Sequence, residues 1–360
     1  MRRGGVDESR RRVIVRRMKT VPPVVLGFVL VTLLFPALLL VALLVDVGRA
    51  VVLRTPFMAT RLLAFLWAYL AGESAGLLAL LGIWLAGGFG LRRGRIADWT
   101  WRSQQVWAGW MFAAARRLMG LRVEVGGEEA LRPGPVIVLV RHASIVDNLL
   151  PSVLVTRAHH VRLRYVLKRE LLRDPCLDVA GKRLPNYFVR RDTGEKLERE
   201  NVRRLAEGLS PQDGVLLYPE GTRFTAERRE RAIKRIAERD PERARRLERI
   251  EHLLPPKVGG FLSALDGAPG VDVVVMAHAG FDDLRLVSDM WRGALVGRTI
   301  RVRFERTERA AIPNDTPGRV RWLDDAWAAA DVWVAAQLAL PHTDRGRRRA
   351  RSDVAPTVPG

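Results

Sequence analysis

Residues 135–148 read Pro-Val-Ile-Val-Leu-Val-Arg-His-Ala-Ser-Ile-Val-Asp-Asn. The apolar run 135–140 is typical of a buried strand, and His142 and Asp147 follow it, five positions apart. On a regular helix these two side chains would point about 140° apart, so they meet only if the chain between them turns irregularly. A strand ending in such a turn predicts an imidazole with its own carboxylate, which is the equipment of a general base. A purely structural pair is the alternative.

A second polar stretch also follows an apolar run. Residues 214–217 are Gly-Val-Leu-Leu, and residues 218–223 are Tyr-Pro-Glu-Gly-Thr-Arg. Gly221 permits close approach of the backbone, Thr222 offers a hydroxyl, and Arg223 carries the planar fork that matches a phosphate. Glu220 would hold that arginine or a substrate hydroxyl. The stretch therefore predicts a small-anion site, and an ordinary surface turn is the alternative.

Strand-like runs alternate with helical stretches through the rest of the chain, which predicts an α/β fold: a layered domain over residues 121–340 with a mixed sheet flanked by helices. A charged insertion at 227–251 is divided by Pro241 into two helices that are either solvated or in contact with anionic lipid. The tail 341–360 is rich in Arg and Pro and is predicted to be disordered. The predicted strands are 121–125, 136–140, 161–166, 187–189, 215–218, 271–276 and 299–304.

The first 120 residues indicate a membrane anchor. A basic tail at 1–20 precedes residues 21–45, which contain no charged residue and are long enough to cross a bilayer, with a kink expected at Pro36. A second transmembrane or re-entrant helix is predicted at 62–91. The basic residues before the first span and after the second would then place the bulk of the protein in the cytoplasm. Alternatively, 62–91 forms a helical hairpin in one leaflet, and the role of its single acidic residue, Glu73, stays open.

Residues 97–119 combine tryptophans with arginines and predict an amphipathic helix. Such a helix lies at a membrane–water interface, packs on the following domain, or does both with opposite faces.

The composition narrows the classes of partner. The net charge is +21, with 60 Lys+Arg against 39 Asp+Glu, which favours a polyanion such as nucleic acid, anionic lipid or a phosphorylated substrate. Many arginines sit beside apolar segments, so the membrane is favoured, although a general coding bias towards Arg would also raise the count. The single cysteine, Cys176, excludes an intrachain disulfide and a Cys-based zinc site of the usual kind. There is no Gly-x-Ser-x-Gly elbow, so Ser144 is not expected to be a nucleophile.

The ordered pair of motifs, His142-x4-Asp147 and then Pro219-Glu-Gly-Thr-Arg223, resembles the signature of the glycerolipid acyltransferases, over about residues 121–300. The match is to the 1-acyl-sn-glycerol-3-phosphate (lysophosphatidic acid) acyltransferase family. The departures are Arg141 in place of Asn, Pro185 in place of Gly, Tyr218 in place of Phe, and a last motif at 273–277 without its proline. They bear on the acceptor, and Arg141 is the neighbour of the pair expected to make specificity unusual.

The resemblance implies transfer of a fatty acyl group from acyl-CoA or acyl carrier protein to the sn-2 hydroxyl of 1-acyl-glycerol-3-phosphate, giving phosphatidic acid. His142, oriented by Asp147, would be the base. No metal or bound cofactor and no nucleic acid is expected. By the same resemblance Lys168 and Lys257 would contact the donor or headgroup, and the acceptor's phosphate would be held by Arg191, Glu220, Gly221, Thr222 and Arg223.

The expected surroundings follow from that activity. The partners would be a lysophospholipid substrate, a bilayer with anionic lipids and, as donor, acyl carrier protein. The catalytic domain would lie on the cytoplasmic side of the inner membrane. The alternatives are an acyltransferase for another lysophospholipid or an amino-acid lipid, and a non-catalytic membrane protein that binds anionic lipid.

Overall fold

The computed structural model describes residues 8–144, 146–189, 194–284 and 287–340. The predicted disordered tail and Arg191 lie outside these residues. The helices are α1 (Arg10–Leu33), α2 (Phe35–Leu53), α3 (Ala59–Ala86), α4 (Arg93–Met119), α5 (Leu149–Pro151), α6 (Pro175–Arg183), α7 (Glu195–Ala206), α8 (Ala226–Ala237), α9 (Pro241–Leu247), α10 (Val258–Gly267), α11 (Val287–Trp291) and α12 (Thr316–Leu338).

The described residues form one mixed seven-stranded sheet with the order β1-β7-β6-β2-β5-β3-β4. Strands β6, β2, β5, β3 and β4 run parallel to one another, and β7 is antiparallel to β6. Helices flank the sheet, so the predicted layered α/β class is confirmed, with every predicted strand present. The strands are β1 (Arg122–Gly126), β2 (Val136–Val140), β3 (Arg162–Lys168), β4 (Tyr187–Val189), β5 (Asp213–Leu217), β6 (Asp272–Ala279) and β7 (Thr299–Thr307).

Two apolar cores cover the two faces of the sheet. In β2, Ile137 and Leu139 join one core, which α7, α10 and α12 complete. The alternate residues Val136, Val138 and Val140 join the other core. Because side chains of a strand point alternately to opposite faces, a strand buried on both faces reads as a continuous apolar run. The quoted run 135–140 is therefore the centre of the domain.

The first apolar segment is two helices and not one span at 21–45. Helix α1 ends at Leu33 and α2 begins at Phe35, with Pro36 in its first turn. Proline suits the first turn of a helix, where its missing N–H costs nothing, so Pro36 favours a new helix at this point. Among the described residues, the helices long and apolar enough to cross a membrane are Phe35–Leu53 and Ala59–Ala86.

Residues 62–91 do not fold into a hairpin of their own. They belong to the continuous helix α3 and to the turn that follows it, and α4 then packs back along α3. The indole Nε1 of Trp110 donates to the Ala68 carbonyl at 2.9 Å across this contact. Both interpretations of α4 have support, because Met111 is buried against its neighbours while Val106 on another face is 72% exposed.

The connection between α2 and α3 lies against the α/β domain. Met58 is fully buried in the core that contains Leu295, and Arg49 donates to the Trp291 carbonyl at 3.1 Å. Two spans with this loop on the far side of a bilayer, as the charge pattern predicts, do not fit these contacts. The reason is that the sequence shows the hydropathy of the helices but not the domain surface on which they pack.

The charged insertion contains the two predicted helices, α8 and α9, with Pro241 as the first residue of α9. Within α8, Glu230 and Lys234 form an ion pair 3.1 Å apart. Helix α8 has no buried residue, whereas α9 is anchored by Arg243, whose Nη2 donates to the buried carboxylate of Asp324 at 2.8 Å. The insertion is therefore solvated only in its first half.

Candidate active site

The polar residues of both motifs meet at one edge of the sheet. Strands β2, β5 and β6 are neighbours and run parallel, so their carboxyl ends lie side by side. Residues 141–147 follow β2, residues 218–223 follow β5, and His278 is the second-last residue of β6. In open parallel sheets this edge is where ligands bind.

His142 and Asp147 are in contact. The imidazole Nδ1 lies 3.2 Å from Oδ2 of Asp147, and the same oxygen accepts the Ser144 N–H at 2.7 Å. Asp147 is fully buried, whereas the His142 side chain is 12% exposed. The chain between them is irregular because the helix starts only at Leu149, and this irregular turn lets the two side chains meet. The predicted pairing is present.

The contact fixes which ring nitrogen of His142 is free. An ionised carboxylate only accepts, so Nδ1 of His142 carries the hydrogen, and Nε2 keeps its lone pair in the neutral ring. The ring packs on Tyr218 with centroids 4.9 Å apart, and the His142 carbonyl accepts the Phe224 N–H at 3.1 Å. These contacts hold an exposed, unprotonated nitrogen in place, which is what a general base needs.

Ser144 is excluded as a nucleophile by its position. The residue is fully buried, and its hydroxyl donates to the Leu284 carbonyl at 3.2 Å. Ser144 lies within the turn between His142 and Asp147, and its side chain points into the protein and not towards solvent.

Glu220, for which the resemblance implies a contact with the phosphate, is a buried residue held by backbone N–H groups. It is 2% exposed, and its two carboxyl oxygens accept the N–H groups of His142 at 2.6 Å and Leu254 at 2.9 Å. Burial raises the pKa of Glu220 to about 8, although both N–H bonds and the positive charge of Arg141 oppose the shift. The buried carboxyl group therefore holds the His142 backbone in position, and the phosphate contact that the resemblance implies for it stays a prediction.

The remaining residues of the anion motif stay open to solvent. Gly221 has φ +67°, a left-handed conformation that favours glycine, and a side chain there would collide with Nζ of Lys257. Lys257 is tied to the same turn, because its N–H donates to the Pro219 carbonyl at 2.8 Å. The structure thus brings Lys257 to Gly221, with Thr222 and Arg223 half-buried beside them.

Lys168, the other residue predicted to contact the donor or headgroup, lies farther from His142 than Lys257 does in the order of the strands. Lys168 ends β3 and is exposed at the same edge, two strands away from β2. It pairs in register with Val189 of β4, after which the chain enters the segment that contains Arg191. The roles predicted for Lys168 and Arg191 stay predictions.

Arg141 is a structural residue and not the specificity residue that its position suggests. It is 1% exposed and donates to the carbonyls of His278 at 2.6 Å and His252 at 3.1 Å, and to Asp282 at 2.5 Å. Burial alone would raise the pKa of Asp282, but the adjacent guanidinium outweighs it and lowers that pKa to about 2. Arg141 therefore ties the ends of β2 and β6 together underneath the His142–Asp147 pair.

Sequence reasoning missed His278 and Asp282. His278 is fully buried, with its Nε2 3.8 Å from Oδ1 of Asp147. One signal was available, since His278 follows the apolar run 273–277 much as His142 follows the apolar run 135–140. Among the described residues no group of three or more His, Cys, Asp or Glu side chains is arranged to hold a metal ion.

Comparison with known proteins shows to which family of domains this region belongs. Residues 122–292, which include all of these residues, match the family model described as Acyltransferase. Residues 122–292 form an acyltransferase domain. The resemblance seen in the motifs is thereby confirmed at the level of this family, and the protein is an acyltransferase. No curated protein matches the chain.

One solved structure similar to the chain is the crystal structure of the 1-acyl-sn-glycerophosphate (LPA) acyltransferase, PlsC, from Thermotoga maritima. The identity is 16%, and the match covers 74% of this chain and 98% of the other at a TM-score of 0.46.

Proposed function

We propose that this acyltransferase moves a fatty acyl group from acyl-CoA or acyl carrier protein to the sn-2 hydroxyl of 1-acyl-glycerol-3-phosphate, giving phosphatidic acid. The observation that carries the proposal is the 2.6 Å hydrogen bond from the His142 N–H to Glu220. It joins the two motifs, so that a base and an anion-binding turn open on the same side of the sheet. A substrate with an acidic headgroup near its reacting hydroxyl fits such a site.

The reaction follows from this placement. The acceptor hydroxyl gives its proton to Nε2 of His142 while its oxygen attacks the thioester carbonyl carbon. The resulting imidazolium is stabilised by the carboxylate of Asp147. The tetrahedral oxyanion then collapses, the carbon–sulfur bond breaks, and the leaving thiolate takes the proton from His142. The ester and the free thiol are the products, and His142 returns to its starting state.

The acceptor's phosphate would sit on the turn after β5. Arg223 and Lys257 supply positive charge there, and the N–H and hydroxyl groups of the turn supply donors. Arg191 stays a proposed second arginine of this subsite.

The helices in front of the domain would hold the enzyme on the membrane that supplies its substrate. Met18, Leu33 and Val52 leave between 70% and 78% of their surface exposed on α1 and α2, and arginines precede them. Exposed apolar faces beside basic residues are typical of binding to an anionic lipid surface. The cytoplasmic side of the inner membrane is the proposed location.

The test uses purified protein, lysophosphatidic acid and acyl-CoA, with the product measured by mass. Phosphatidic acid is the expected product, preferred over the products of lysophospholipids with larger headgroups and of amino-acid lipids in the same reaction. Arg223→Met should raise the KM for lysophosphatidic acid by about tenfold or more, because a charge-assisted hydrogen bond contributes about 1.5–3 kcal/mol. Arg231→Met on the exposed face of α8 is the matched control. Equal use of an uncharged acceptor would contradict the proposal.

A further inference from the structure

His278 is a second buried imidazole beside Asp147, on the side away from His142. Its Nε2 lies 3.0 Å from the Arg141 carbonyl and 3.8 Å from Oδ1 of Asp147. A carbonyl only accepts, so Nε2 of the neutral ring carries the hydrogen and donates it to the Arg141 carbonyl, with Oδ1 of Asp147 as the next oxygen nearby. The order in space is therefore imidazole, carboxylate, imidazole.

Asp147 needs something to hold its second oxygen. Oδ2 accepts from Ser144 and His142, but Oδ1 has no hydrogen-bond partner within the part of the chain that the structure describes. An unsatisfied buried carboxylate oxygen is costly, and the His278 N–H, with its nitrogen 3.8 Å away, is one polar group placed to offset that cost. His278 thus bears on which oxygen of Asp147 faces His142.

We propose that His278 is a positioning residue of the acyl-transfer site, which holds Asp147 so that its Oδ2 stays on Nδ1 of His142. The test by enzyme kinetics rests on the proposed function, whereas the test by NMR of the His142 tautomer does not.

The surroundings of His278 keep it neutral in this role. Burial lowers the pKa of His278, and the charge of Arg141 acts in the same direction against the opposing pull of Asp147. A neutral N–H orients the carboxylate without cancelling its charge, and that charge remains available to the His142 imidazolium. The ring is itself held, since the His278 carbonyl accepts from Arg141 at 2.6 Å and its ring packs 6.1 Å from that of Phe281.

Two amide substitutions separate this role from a merely structural one. The amide nitrogen of His278→Gln reaches the position of Nε2, whereas that of His278→Asn stops at the position of Nδ1, so the two variants match in polarity and differ in reach. We expect His278→Gln to keep kcat within about threefold and His278→Asn to lower kcat by about 10–100-fold, the range typical of groups that orient another functional side chain. The KM for lysophosphatidic acid should change little in both.

Val274→Ala is the control for destabilisation alone, because Val274 is equally buried in the same strand and far from the carboxylate. It should lower the melting temperature and leave kcat in place. Equal kcat values for the Gln and Asn variants, or a loss that follows the melting temperature across all three variants, would overturn the proposal.

A second readout does not depend on activity. Long-range 1H–15N spectra of histidine-labelled protein should show His142 as the Nδ1–H tautomer in the wild type and in His278→Gln, and as a mixture in His278→Asn. A single unchanged tautomer in all three would contradict the role of His278. If the wild type makes no phosphatidic acid, the proposed function fails, while the spectra still decide the role of His278.

Discussion

Glu220 places a carboxyl group of raised pKa directly under the backbone of His142. An acid whose pKa is higher in the folded state stabilises that state through its proton. The contribution is complete below its ordinary pKa near 4.5 and is lost as the pH rises through about 8. The protein should therefore lose stability across this window, by at most about 1.4 kcal/mol per pH unit from this group.

The measurement is the free energy of unfolding of wild type and Glu220→Gln between pH 5 and 8.5. The amide cannot titrate, so the difference between the two proteins should change with pH in the direction given. The variant should also be less stable by about 1–3 kcal/mol at pH 5, since its NH2 group faces an N–H. A difference that is constant with pH would show that Glu220 does not titrate in this range.

For single residues, the sequence predicts contacts between near neighbours in the chain better than it predicts which side chains are buried. His142 and Asp147 lie close in the chain, after a strand whose pattern is unambiguous, so their pairing follows from local geometry. Arg141 and Glu220 both have ionisable side chains in or beside the motifs, yet both are buried. Their partners are backbone groups more than 30 residues away, such as the carbonyl of His278 and the N–H of Leu254. No local pattern marks those contacts.

Among the elements, α3 begins with a cap from a different helix. Asp46 of α2 is buried, and its carboxylate accepts the N–H groups of Met58, Ala59 and Thr60 at 2.8–2.9 Å. The first N–H groups of a helix have no acceptor within the helix. The carboxylate of Asp46 is the acceptor for three of them. This cap joins α2 to α3 at the point where Met58 enters the domain core.

We expect Asp46→Ala to lower the free energy of unfolding by about 1–2 kcal/mol, the usual loss on removing a helix cap. Asp98→Ala is the matched control, because Asp98 is 52% exposed and pairs with Arg162, which is 46% exposed. An exposed pair contributes about 0–1 kcal/mol. Equal effects of the two substitutions in detergent-solubilised protein would contradict the capping role.

The positions of the strands can be predicted from the sequence, because their apolar runs are buried on both faces of the sheet. The residues at which strands end are predicted less well, as β6 and β7 show. The ladder between them extends from Val273 opposite Thr307 to Ala279 opposite Arg301, beyond the predicted ends at 276 and 304. The added part of β7 is charged, so it is hidden from a hydrophobic pattern and defined only by its partner strand. The order of strands in the sheet is also a long-range property.

For the whole molecule, the contacts of α3 bear on how the enzyme meets the membrane. Near one end Arg61 donates to the Leu118 carbonyl, and near the other the Leu80 carbonyl accepts from Arg183 at 2.9 Å. At 1.5 Å per residue these positions are about 28 Å apart, close to the thickness of the hydrocarbon core. A crossing helix would put them on opposite sides of the bilayer, but Leu118 lies directly before β1 of the domain and Arg183 lies in α6 of the same domain.

We therefore predict that α3 lies along the domain and enters one leaflet only. In a Cys176→Ala background, single cysteines at Leu53 and Leu91, on either side of α3, should react with a membrane-impermeant maleimide from the same side. That side should also label a cysteine at Arg231 in the domain. Labelling of the first two positions from opposite sides would establish a crossing.

His142 acting as the base for acyl transfer is the central claim, and the rate of phosphatidic acid formation by purified His142→Ala tests it most directly. General bases contribute about 10²–10⁴-fold, so the variant should lose at least about 100-fold in kcat. Its membrane binding and melting temperature should stay those of the wild type. His159→Ala, at the opposite end of the sheet, should keep full activity. A His142→Ala variant that folds, binds membranes and retains more than about 5% of the wild-type rate would contradict the role of His142 as the base.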